Sequence, residues 1–129
     1  MILGCTIEEF VFLVKPFVLS YNGIMPLTLE QKVIEALIDR NQSLSCAESC
    51  TGGLLSHKLT NIPGSSQVFL GSLITYSNAS KSTLLKISTS LIKSKGAVHN
   101  DIAIEMAKKA RKLFNSDYGI GITGIAGPN

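Results

Sequence analysis

Tryptophan is absent from this chain, and only 6% of its residues are aromatic and 16% charged. Basic residues interleaved with aromatics, the mark of a nucleic-acid surface, are missing, and a net charge of +3 does not replace them. Cysteine is scarce too. Cys5, Cys46 and Cys50 are an odd set of three that builds no disulfide framework, so a reducing, cytoplasmic setting is expected. A metal site through Cys46, Cys50 and His57 lacks a C-x-x-C pair and a fourth ligand, and neither a metal nor another cofactor is expected. With two histidines, no Ser-His-Asp triad finds positional support. The apolar first 25 residues are broken by Glu8, Glu9, Lys15 and Pro16, and no basic residue precedes them. That pattern supports neither a signal peptide nor a membrane span.

What remains is a chain of 129 residues, 45% hydrophobic, the size of one folded domain with a real core. Residues 1–26 differ from the rest: rich in Phe and Val, they carry no polar cluster suited to chemistry and end in Tyr21-Asn22-Gly23 and Pro26. They read as a strand or helix plus linker, or as the remnant of a preceding domain. From Thr28 the pattern sharpens. Thr28 and Gln31 make a capping box, and Val33, Ile34, Leu37 and Ile38 form one stripe, which predicts a helix over 29–40. A buried strand follows over 43–47, then a helix over 52–60 with Leu54, Leu55 and Leu59 inward. Residues 68–76 read as a strand so apolar that both faces should be buried. Short helices are expected over 78–85 and 90–95, the second stopped by Gly96. A longer helix capped by His99 or Asn100 should bury Ile102, Met106, Ala110 and Leu113, and Tyr118–Thr123 should form a strand with closely packed glycines. Alternating strands and helices define an α/β layered domain.

Ala47-Glu48-Ser49-Cys50-Thr51-Gly52-Gly53 is the most informative stretch. A hydroxyl on a strand-to-helix turn is exposed, and glycines after it let the backbone turn sharply. A serine at such a position is commonly only a helix cap. Its partners raise the chemical reading: Tyr76, ending a strand, and Lys81 soon after both return to the mouth of the sheet where Ser49 lies. A lysine in a partly dry site loses affinity for its proton and can act as base towards a serine hydroxyl, with a tyrosine relaying that proton. Against this stand a solvated lysine and a core tyrosine ring. Cys50 with His57 offers a thiolate–imidazole pair, but two helical turns separate them by about 10 Å. Thr123 and the amides of Gly124-Ile125-Ala126-Gly127 could line an oxyanion or phosphate site, a weak signal alone.

Taken in order, the Ala47–Gly53 motif, Pro63-Gly64-Ser65-Ser66, Tyr76-Ser77-Asn78 with Lys81, Gly96-Ala97-Val98 and Ile122–Pro128 resemble the CinA C-terminal family, the nicotinamide-nucleotide amidases. The resemblance implies a three-layer α/β/α fold over 27–129 and metal-free hydrolysis of nicotinamide mononucleotide to nicotinate mononucleotide and ammonia. It casts Ser49 as nucleophile, Lys81 as general base and Tyr76 as helper. Cys50, Thr51, Gly52, Gly53, Thr123 and Gly124 become candidates for oxyanion and substrate contacts. His99 stands where the family has a small hydroxyl residue, which should alter only a cap. The family pattern continues beyond Gly127-Pro128 with a loop and another strand. The expectation is therefore a truncated domain lacking its last strand or strands, with an exposed edge and a tendency to form a homo-oligomer. A catalytically inactive fragment that binds a nucleotide or a partner stays open as the alternative.

Overall fold

Strands and helices alternate along the computed structural model, which describes residues 2–3 and 27–126. The elements are β1 (Ile2–Leu3), α1 (Leu29–Arg40), β2 (Leu44–Glu48), α2 (Leu54–Thr60), β3 (Phe69–Ile74), α3 (Asn78–Leu85), α4 (Thr89–Lys95), α5 (Asn100–Phe114) and β4 (Tyr118–Thr123). They form one sheet of order β1-β4-β2-β3, in which β2 runs parallel to both neighbours and β1 pairs antiparallel with β4. The readings of residues 4–26 and of Gly127-Pro128 lie outside the described residues.

The expected capping box starts α1: the Gln31 amide donates to Thr28 Oγ1, and the Thr28 amide donates to Gln31 Oε1 at 2.7 Å. Its stripe, Val33, Ile34 and Leu37, packs with Leu44 and Cys46 of β2, Leu59 of α2 and Ile120 and Ile122 of β4. Ala47, on the opposite face of β2, packs with Leu85 of α3, Ile87, Ile92 of α4 and Ile102, Met106 and Ala110 of α5. Alternation along β2 feeds two cores, with helices on both sides of the sheet. This is the three-layer α/β/α arrangement.

Four sequence expectations need correction. β3 is not buried on both faces. It takes the sheet edge and leaves Leu70 and Ile74 exposed. Leu54 opens α2 and points to solvent; Leu55 and Leu59, four apart, carry the inward face instead. Leu113 is also exposed, although a 3.6-residue period from Ile102 and Met106 points it inward; in the last turn of α5 the ring of Phe114 turns inward instead, against Gly71, where no Cβ stands in its way. The second helix begins at Leu54 rather than 52, since Gly52 and Gly53 both hold positive φ, at +59° and +102°.

The glycines of β4 let α5 lie against the strand. A Cβ on Gly121 would collide with the Ala103 carbonyl oxygen and the Ala107 amide of α5, backbone atoms that cannot rotate away. Gly121→Ala is expected to cost about 3 kcal/mol or more of stability, measured by urea unfolding. At the other end of the sheet, Asp117 accepts from the Ser43 amide at 2.7 Å and from its hydroxyl at 2.8 Å, joining the starts of β2 and β4.

Candidate active site

β2 and β3 end side by side, and the chain leaves each at the same edge of the sheet. The Thr75 amide donates to the Glu48 carbonyl at 2.8 Å, so residues 48–49 and 75–76 are held together. After Ser77, which caps α3 by accepting from the Ser80 amide, the helix turns Lys81 back to this point. Lys81 is only 1% exposed. Its Nζ lies 2.9 Å from Ser49 Oγ, 2.8 Å from the Thr75 carbonyl and 3.1 Å from the Tyr76 carbonyl.

Nζ donates to the Thr75 and Tyr76 carbonyls and to Ser49 Oγ. On losing its proton it would keep the two carbonyl bonds and turn its lone pair to the Ser49 hydroxyl. Burial lowers the Lys81 pKa below the ordinary lysine value, the Cys50 sulfur acting in the opposite direction. The arrangement can take a proton from Ser49, which is itself almost wholly buried.

Tyr76 reaches the pair by a different route from the one expected. Its carbonyl holds Nζ and also lies 3.4 Å from Ser49 Oγ, while its side chain is 67% exposed, not a core ring. No hydrogen bond joins its hydroxyl to Ser49 or Lys81 among the described residues.

The turn after Ser49 sorts the candidate anion-binding amides. The Gly52 amide donates to the Ser49 carbonyl at 3.0 Å, and the Gly53 amide to Glu48 Oε2 at 3.2 Å. Both are committed. Among the described residues, the Cys50 and Thr51 amides donate to nothing, and Thr51 Oγ1 is buried without a partner. The hydroxyl of fully buried Thr75 is likewise unpaired. Thr123 does not offer its side chain: Oγ1 donates to the Ala97 carbonyl at 2.8 Å, tying β4 to the loop before α5. Gly124 is half-buried just beyond it. His99 caps α5, its Nδ1 accepting from the Asp101 amide at 3.1 Å.

Glu48 is the residue that sequence reasoning passed over. It is fully buried; Oε2 accepts from the Gly53 and Leu55 amides, and Oε1 from the Ser56 amide and hydroxyl. Burial pushes its pKa up, but the polar groups around it, the Ser56 hydroxyl first, then the nearby Thr51 hydroxyl and the Ser56 and Leu55 amides, outweigh this and hold it below the ordinary carboxylate value. The available signal was an acidic residue directly before the nucleophile turn, with a serine eight positions on. Cys46 is no competing nucleophile, since burial, with the Glu48 charge beside it, pushes its thiol up to about 12. Among the described residues, no three His, Cys, Asp or Glu side chains stand close enough to share a metal ion, and no helix is long and apolar enough to cross a membrane.

These features define an α/β/α domain with a buried serine–lysine pair at the end of its parallel strands. Residues 27–129 match the family model of the CinA C-terminal domain. The chain belongs to that family. It is 46% identical over 109 residues to a CinA-like protein of Pseudothermotoga lettingae, covering 84% of this chain and 27% of that one. It is 54% identical over 101 residues to a CinA-like protein of Prochlorococcus marinus subsp. pastoris, covering 78% and 23%. This chain thus spans about a quarter of the length of these curated relatives. Among solved structures, a CinA superfamily protein of Klebsiella pneumoniae superposes with a TM-score of 0.76 at 32% identity, over 78% of this chain and 63% of that one. The competence/damage inducible protein CihA of Agrobacterium tumefaciens gives 0.72 at 38% identity, over 78% and 61%.

Proposed function

We propose that residues 27–129, with β1 paired onto β4 of their sheet, form an amidase unit that hydrolyses the carboxamide of nicotinamide mononucleotide. The observation that carries the reading is the 2.9 Å approach of the Lys81 amine, held by two carbonyls, to the Ser49 hydroxyl. The substrate is drawn from the resemblance of the five motifs to the nicotinamide-nucleotide amidases.

Ser49 Oγ attacks the carboxamide carbon while Lys81 accepts its proton. The oxyanion is received by the Cys50 and Thr51 amides, the two donors left free in the turn. As the C–N bond breaks, the Lys81 ammonium returns the proton to the nitrogen, and ammonia leaves an acyl-serine. Water, deprotonated by Lys81, then attacks the acyl carbon; as the ester bond breaks the Lys81 ammonium returns the proton to Ser49 Oγ, freeing Ser49 and nicotinate mononucleotide. Tyr76 contributes its carbonyl, which keeps Nζ in place, and Gly124 and Thr123 form a wall of the site.

The test is ammonia release from nicotinamide mononucleotide by the purified chain, with circular dichroism confirming its fold. Stoichiometric ammonia and nicotinate mononucleotide are expected. A folded chain that binds the nucleotide without releasing ammonia would replace the amidase with a nucleotide-binding module.

A further inference from the structure

The buried carboxylate of Glu48 takes no part in the proton transfers above, yet it organises the turn that presents Ser49. We infer that Glu48 is a positioning residue: by filling the N-terminal end of α2 with its own side chain, it fixes the Ser49–Gly53 turn and with it the Ser49–Lys81 approach. This deepens the serine-hydrolase reading and rests on it.

The first amides of a helix have no partner within it and carry the positive end of its dipole. Gly53 and the residues before it supply no side-chain cap for α2. Glu48 supplies it from the preceding strand: Oε2 spans the Gly53 and Leu55 amides at 3.2 and 3.1 Å, and Oε1 takes the Ser56 amide at 2.9 Å together with the Ser56 hydroxyl. The residues between carboxylate and helix are those of the nucleophile turn. Glu48 also holds the strand end through its carbonyl, which accepts from the Thr75 amide one residue before Tyr76. One residue therefore spans the two chain ends that must meet for Ser49 to face Lys81.

The arrangement has a consequence for ligand binding. The end of α2 already holds the Glu48 carboxylate, which disfavours a second anion there. The committed Gly52 and Gly53 amides leave the oxyanion to Cys50 and Thr51.

Glutamine at 48 would keep one acceptor oxygen, but its NH2 group would face either two amide donors or the Ser56 amide. The experiment compares the full chain with its Glu48→Gln and Ser56→Ala variants. It records melting by circular dichroism, kcat and KM for nicotinamide mononucleotide, and separately the rate at which a fluorophosphonate labels Ser49, which needs no amide substrate. Glu48→Gln is expected to lose about 100-fold in both kcat and labelling rate, with KM within about threefold, the scale set by a small misplacement of reacting groups. Ser56→Ala, which removes one donor and keeps the carboxylate, is expected to lose about tenfold in the same two rates. If Glu48→Gln does not fold, Ser56→Ala decides alone. A folded variant that keeps its labelling rate, or one that raises KM with kcat unchanged, overturns the inference. Labelling without ammonia release in the parent removes the amidase reading, and the labelling rates of the variants still decide the role of Glu48.

Discussion

Ser49→Ala is expected to lower ammonia release from nicotinamide mononucleotide by about 10,000-fold or more, with the melting temperature nearly unchanged. The substitution deletes one oxygen from a small side chain and leaves Lys81 with its two carbonyl partners. What is lost is the covalent route, because no neighbouring group can substitute. Cys46 stays protonated behind a raised pKa of about 12, and Cys50 is not the group facing Nζ within hydrogen-bond distance. Cys50→Ala is the matching control and should keep the rate within about threefold, since it retains the amide assigned to the oxyanion. A Ser49→Ala variant with parental turnover would remove the serine from the mechanism. A Cys50→Ala variant that loses all activity would transfer the chemistry to the thiol.

Much of the fold was legible because local rules and tertiary packing agree in most segments. The Thr28–Gln31 box with its apolar stripe fixed α1 to the residue, and the positive φ of Gly96 ends α4 as expected. The failures share one cause: which side of an element faces the core depends on where the element sits. β3 has the composition of a central strand, yet the sheet order leaves it at the edge, a relation between distant segments. Leu113 and Phe114 are both apolar at the end of a helix, and only the close approach of Gly71 determines that the ring goes inward.

The candidate site was legible in its residue types and less so in its atoms. Ser49 and Lys81, 32 positions apart, meet because both follow ends of adjacent parallel strands, which an α/β reading anticipates. The part played by the Tyr76 carbonyl could not be read from the sequence, where a tyrosine advertises its ring and hydroxyl. Glu48 was hidden for a related reason. A carboxylate in a strand of five fully buried residues runs against the expected pattern, and only its four donors explain it.

Lys81→Met is expected to cost about 1,000-fold in kcat near neutral pH, within the range for loss of a general base. The parent rate should rise with pH through the lowered pKa of Lys81 and then level off. A second consequence concerns stability. In the unfolded chain a lysine titrates near 10.4, whereas burial in the fold lowers the value at Lys81. Between the two values the unfolded state binds more protons than the folded one, so stability rises with pH across that window. Below the folded value both states are protonated, and the buried ammonium destabilises the fold by a constant amount. Methionine has no proton to bind, so the difference in unfolding free energy between parent and variant should shift in favour of the parent as pH rises from the lowered folded value towards the unfolded one, as read by urea titration across the alkaline range. A constant difference across that range would mean that Lys81 keeps its proton in the folded protein. It could not then accept one from Ser49, and the mechanism would need another base.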